Sequence, residues 1–143
     1  MSNRINEPQI INSSNFGEIE ILPENIFYFE NGILGFEMLN NFVLITDDDI
    51  LPFKWLLSVD EPAIMFPVIS PWYVVPDYMS GKEVDTENEI MFSIVTLNDG
   101  NGNITANMKA PIILNSLELT GEQIILPYEK YNVNHIIQKR NQE

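Results

Sequence analysis

The strongest constraint on this chain is the two-residue period of its apolar side chains, repeated in short runs cut apart by turn residues. In Phe16-Gly17-Glu18-Ile19-Glu20-Ile21 the isoleucines fall on one side and the glutamates on the other. In the segment 104–110, Ile104, Ala106, Met108 and Ala110 fall inward, with Thr105, Asn107 and Lys109 outward. An extended backbone puts successive side chains on opposite faces, so this alternation specifies half-buried strands rather than helices. Seven further runs read as strands: 26–30, 42–46, 53–59, 63–69, 90–97, 112–114 and 122–126. Several are apolar on both faces, as required where a sheet curls on itself or a loop covers it.

Turn chemistry separates these runs. Glu30-Asn31-Gly32, Asp47-Asp48-Asp49, Asp60-Glu61-Pro62 and the hairpin-like Asn98–Asn103 stretch are rich in residues that tolerate or enforce chain reversal. About nine closely spaced strands predict an all-β, single-domain antiparallel β-barrel-like fold with little or no helix. Closure also removes exposed strand edges. Four prolines, Pro62, Pro67, Pro71 and Pro76, place their segment at a sheet edge or a crossing.

With 143 residues one domain is expected. Residues 1–10 form a flexible N-terminal segment, 11–127 the barrel domain and 128–143 a C-terminal tail. For that tail, a short helix through Asn134–Lys139 and a frayed chain are both open. Met79–Glu89 reads as a solvated connection with at most a single turn. No apolar run reaches the roughly 18 residues of a membrane span, and the start lacks a signal-peptide pattern, so the expected location is cytoplasmic without membrane contact.

Chemistry-bearing motifs are scarce. There is no cysteine and a single histidine, His135, which reads as a surface residue of the tail. No Gly-x-Ser-x-Gly elbow or phosphate-cradling motif is present. Asp99-Gly100-Asn101-Gly102-Asn103 begins like a calcium loop, but Ile104 stands where a glycine is needed and Ala110 where a bidentate glutamate is needed. The expectation is therefore a binding protein with no enzymatic activity, no cofactor and no metal.

Charge points to the kind of partner. The chain carries 21 acidic against 7 basic residues, net −14. Between Gly17 and Glu89 only Lys54 and Lys82 oppose the acids. Such a field repels nucleic acid and anionic membranes and speeds encounter with basic proteins. Direct nucleic-acid binding is thus not expected. Asp47, Asp48, Asp49, Asp60 and Glu61 are candidate partner contacts on this ground. Trp72, Tyr73, Asp77 and Tyr78 are added because aromatics on a proline-stiffened edge bury much area at little entropic cost. Trp72 leans toward the core, and Tyr78 stands evenly between core and surface. Asn107 and Lys109 join them as solvent-side residues of their strand. Gly32 and Gly35 supply the positive φ of a tight crossover.

Read together, these segments resemble the flagellar assembly factor family, FliW. The matching blocks run in order: Phe16-Gly17-Glu18-Ile19, then Gly32-Ile33-Leu34-Gly35-Phe36-Glu37, Phe53–Ser58, Glu61-Pro62, Phe66-Pro67-Val68 and Pro76-Asp77-Tyr78. Ile94-Val95-Thr96 and Thr105–Ile112 follow, with Pro111 in the Asn-x-x-Ala-Pro-Ile block, and then Asn115. The resemblance spans roughly residues 11–126. It departs in two places: Leu34 stands where a proline is common, and 79–89 is short and polar where the family often has a helix. It implies a barrel-like fold and two partners, flagellin and the RNA-binding translational regulator CsrA. By sequestering CsrA such a protein relieves repression of flagellin translation, until unexported flagellin occupies it. The alternative from a different class is a carrier holding an apolar small molecule inside the barrel, which an aromatic-filled interior would exclude.

Overall fold

The computed structural model describes residues 4–78 and 84–138. Its eleven strands are β1 (Gln9–Ser13), β2 (Gly17–Ile21), β3 (Ile26–Tyr28), β4 (Asn41–Ile45), β5 (Lys54–Ser58), β6 (Met65–Ile69), β7 (Glu89–Thr96), β8 (Ile104–Ala106), β9 (Ile112–Asn115), β10 (Thr120–Gln123) and β11 (His135–Gln138). One α-helical turn, α1 (Pro71–Val74), and two 3-10 turns complete the fold.

Strands β7-β6-β5-β4-β3-β10-β9 follow one another by hydrogen bonding, and β9 pairs back onto β7. They make a closed seven-stranded barrel. Closure is possible because β7, the longest strand, divides its length among three neighbours. Glu89–Phe92 pairs with β9, Ser93 and Ile94 with β6, and Val95 and Thr96 with β8. The narrowest seam is β3–β10, a parallel contact at Thr120 and Tyr28, held also by Tyr28 N–H donating to Leu119 O at 2.9 Å.

Alternation sorts the side chains into three clusters. Phe29, Phe42, Leu56, Val68, Phe92, Ile112 and Leu114 point inward and fill the barrel, with Phe29 and Phe42 in an edge-to-face contact at 5.0 Å. Their neighbours on the same strands point outward and are covered twice. The β1–β2 hairpin lays Ile11 and Ile21 over Ile26, Val43 and Leu57. On the other flank β8, α1 and the C-terminal segment lay Tyr78, Tyr131 and Leu126 over Ile69, Met91 and Ile113. The strands that read as apolar on both faces are those with barrel interior on one side and a covering flank on the other. The interior is packed with aromatic and aliphatic side chains, the condition that excludes the carrier reading.

Several expectations are corrected at the ends of the chain. The N-terminal segment is anchored: Ile5 N–H donates to Asn41 Oδ1 at 3.1 Å, and Gln9 and Ile10 belong to β1. The tail forms neither a helix nor a frayed end over residues 135–138. These residues are β11, antiparallel to β8 through His135–Ala106 and Ile136–Thr105. A short polar-apolar alternation is ambiguous locally, and the edge offered by β8 decides it. The β8 strand itself stops at Ala106. Asn107 then ends it, its Oδ1 accepting the N–H groups of Lys109 and Ala110, a local Asx turn.

The proline segment is also not an edge, since β6 lies between β5 and β7. Pro67 pairs with Trp55 on one side but lies outside the two residues, Val68 and Ile69, that pair with β7. A residue without an N–H fits a strand interior where one side is unpaired. Pro71 occupies the first turn of α1, where no backbone donor is needed. Within the expected connection 79–89, residues 79–83 lie outside the described residues, and Asn88 and Glu89 N–H close a turn on Asp85 O.

Candidate protein-binding site

The sequence-chosen acids do not form one patch. Asp47–Asp49 lie between β4 and β5, at the Lys54 end of β5, whereas Asp60 and Glu61 follow its Ser58 end. A strand of five residues separates them by about 17 Å. Asp48 and Asp49 open a 3-10 turn and are exposed, while Asp47 caps that turn, accepting Asp49 N–H at 3.0 Å.

Asp60 has a structural occupation. Its Oδ2 accepts Asn40 N–H at 2.9 Å and Asn41 N–H at 2.8 Å, and Asn41 Nδ2 donates to Oδ1 at 3.1 Å. The side chain of Asn41 is fully buried and reaches Ile5 as well. One carboxylate therefore ties the β5–β6 turn to the start of β4 and, through Asn41, to the N-terminal segment. Both Asp60 and Glu61 are exposed.

Because β6 runs antiparallel to β5, its Ile69 end delivers α1 to the Lys54 end of the pair, the end that carries Asp47–Asp49. Trp72 and Tyr73 are 42% and 69% exposed. Trp72 is fixed by its indole N–H, which donates to Tyr78 O at 3.1 Å, and by an edge contact with the Tyr78 ring. Tyr78 is the buried member: 3% exposed, its hydroxyl donates to Met108 O at 2.7 Å and its ring meets Tyr131 at 4.7 Å. Burial holds its phenol well above the ordinary range, and the neighbouring Tyr131 adds to the effect. The lean of Trp72 toward the core is thus corrected, since it is exposed, and Tyr78, which stood evenly between core and surface, falls in the core. Asp77 is exposed next to it.

Asn107 and Lys109 are half-buried and occupied locally, Lys109 Nζ donating to Tyr128 O at 2.9 Å. Pro111 is buried, and its carbonyl accepts Ile124 N–H at 3.0 Å. The glycine turn behaves as read: Gly32 has φ +64° and Gly35 φ +90°. A Cβ on Gly32 would sit 2.6 Å from Phe36 O, so the turn has no room for one. The turn buries Ile33 and presents Leu34 and Met38, 67% and 91% exposed. Between them Glu37 accepts Gly35 N–H, which holds its carboxyl below the usual range. The sequence reading missed Leu34 and Met38 as surface residues; their signal was the tightness of a turn that can bury only Ile33.

Among the described residues no group of three His, Asp or Glu side chains is placed to hold a metal. The calcium-like loop is a closed hairpin turn. Asp99 Oδ1 accepts the N–H groups of Asn101 and Asn103, and its carboxyl is held below the usual range by the Asn101 N–H first and by Asn103 next. No helix among the described residues is long and apolar enough to cross a membrane. What the surface offers is exposed apolar and aromatic side chains among carboxylates, a composition for recognising protein.

Comparisons with known proteins agree in one direction. Residues 9–137 match the family model described as FliW protein. The flagellar assembly factor FliW of Caldanaerobacter subterraneus subsp. tengcongensis is 42% identical over 137 residues, covering 89% of this chain and 91% of that protein. That of Thermotoga maritima is 36% identical over 138 residues, covering 90% and 93%. A solved structure, described as the crystal structure of the flagellar assembly factor FliW, superposes with a TM-score of 0.78 at 31% identity. It covers 90% of this chain and 96% of its own.

Proposed function

Since this chain belongs to the FliW family, with its role in flagellar assembly, we propose that it is a cytoplasmic, non-enzymatic regulator with two protein partners. It binds flagellin, and it sequesters the CsrA-type RNA-binding repressor, relieving repression of flagellin translation. The observation that carries this reading is family membership joined to a net charge of −14. An RNA-binding regulator presents basic surface. An acidic barrel is steered to such a surface and raises the electrostatic cost of RNA approaching the complex.

The surface that supports partner docking combines Trp72 and Tyr73 with Asp48 and Asp49 at one end of the β5–β6 pair. Glu61 and Asp77 add exposed charge. Asp60, Tyr78, Asn107 and Lys109 act through the fold. Titration calorimetry against CsrA, repeated with flagellin present, tests the proposal. Saturable binding that flagellin diminishes supports the switch. Binding to flagellin alone reduces the role to that of an export chaperone, and silence with both partners ends the proposal. Charge reversal at Asp48, Asp49 and Glu61 is expected to slow association with CsrA and to flatten its salt dependence.

A further inference from the structure

Two flanks of the barrel are covered, but among the described residues neither covering flank extends over the outer face around the β3–β10 seam and the adjoining ends of β9 and β7. Register places Tyr28, Thr120, Asn115 and Glu89 in one row across these four strands. With Gly121 forced inward against the Phe29 ring, its neighbours Thr120 and Glu122 face outward. The face is concave, with a cavity of about 510 Å³ lined by Glu30, Glu89, Glu118 and Glu122 among others. That volume lies in the range of ordinary ligand pockets. Two exposed leucines adjoin lining residues without lining the cavity themselves: Leu34, whose N–H is held by Gln123 at 2.8 Å, and Leu117, next to Glu118 in the chain and 73% exposed.

The chain itself shows what chemistry this face accepts. Arg4, from the N-terminal segment, lies in the cavity wall with its guanidinium 5.2 Å over the Tyr28 ring. Its Nη2 donates to Leu119 O at 3.3 Å. One guanidinium is thus already seated on an aromatic ring and a carbonyl, in a cavity whose lining includes four glutamates. The row of four strands spans about 14 Å, three inter-strand steps, and an extended segment of four residues spans the same length.

We propose that this cavity is a docking groove for an extended basic segment of a protein partner, its arginine or lysine side chains entering beside Arg4 and its apolar side chains resting on Leu34 and Leu117. The inference deepens the proposed function, since the basic segment belongs to the partner. Its test uses no partner, so the two fail separately.

The probe is the peptide acetyl-Leu-Arg-Leu-Arg-amide, titrated against the full chain and followed by backbone amide NMR, with acetyl-Leu-Gln-Leu-Gln-amide as control. Saturable shifts are expected at Tyr28, Asn115, Thr120 and Gly121 with the arginine peptide, and binding at least about tenfold weaker with the control. Combining Glu30→Gln, Glu118→Gln and Glu122→Gln, all exposed positions, is expected to weaken the arginine peptide about tenfold, as loss of three surface ion pairs would. An unchanged amide spectrum elsewhere reports an intact fold. Arg4→Ala is expected to strengthen binding by vacating its seat. Shifts centred on another face, equal affinity for the two peptides, an unweakened triple variant or no binding at all would each overturn the proposal.

Discussion

The covered and bare outer faces of the barrel are made by the same strands under the same alternation, yet their chemistry is opposite. Under the β1–β2 hairpin the outward residues are Ile26, Val43 and Leu57. Two residues further along β3 the outward position is Tyr28, and across the seam it is Thr120 and Glu122. An outward residue is apolar only where another part of the chain comes to cover it. Where neither flank reaches, the same outward positions carry polar or charged groups, as at Tyr28, Thr120 and Glu122. The barrel is therefore a scaffold whose flanks are committed to stability, leaving that face and the loop ends available for the proposed recognition.

Truncation inside the barrel gives the largest break in that comparison. Phe42→Ala is expected to cost about 3–5 kcal/mol, since Phe42 is fully buried and packs against Phe29 and Phe66. Urea unfolding measures it. A loss under 1 kcal/mol would mean that the interior is loosely filled. Asp60→Ala comes next. It strips the acceptor from Asn40 and Asn41 N–H and is expected to cost roughly 1–3 kcal/mol. The rate of association with CsrA should meanwhile stay within twofold. A slowed association at unchanged stability would return Asp60 to the binding surface.

Tyr78→Phe sharpens the covered flank. Removing the hydroxyl that bonds Met108 O is expected to cost about 0.5–1.5 kcal/mol near neutral pH. The pH dependence has a definite sign. The folded phenol lies above its ordinary value of 10.0, so the folded state holds its proton more tightly than the unfolded chain. The resulting stability is fully present below pH 10 and is lost as pH rises beyond it. Denaturation midpoints taken on both sides of that pH should fall less steeply in Tyr78→Phe than in the parent chain, and parallel slopes would contradict the assignment. The smallest effect belongs to Asp48→Lys with Asp49→Lys, expected to leave stability within about 0.5 kcal/mol while slowing association with CsrA. A large stability change there would make the 3-10 turn structural, as Asp60 is.

Much of the fold could be read locally. Nine strands were anticipated within a few residues, because alternation and turn chemistry are local signals; so was the positive φ at Gly32 and Gly35, where a tight reversal leaves no alternative. β1 and β11 escaped notice because their sequences become strands only against a partner edge, β2 for one and β8 for the other. The candidate binding residues were less legible. Acidity between Gly17 and Glu89 suggested a single acidic half, yet the bare face draws Glu118 and Glu122 from beyond it. Asp60 and Asp48 are the same residue type in similar turns and both are exposed, and only the position of Asn40 and Asn41 gives Asp60 a locking role.

By itself the sequence determined the class of fold, the family and the sign of the charge, since each follows from residue identity and short-range spacing. The tertiary structure decided which outward faces are covered and which stay bare. It also decided that Tyr78 is buried while Trp72 is exposed, and that one exposed aspartate ties β4 to the β5–β6 turn while another makes no such tie. Those outcomes depend on contacts between segments far apart in the chain, and no local pattern carries information about a neighbour that only closure of the barrel brings near.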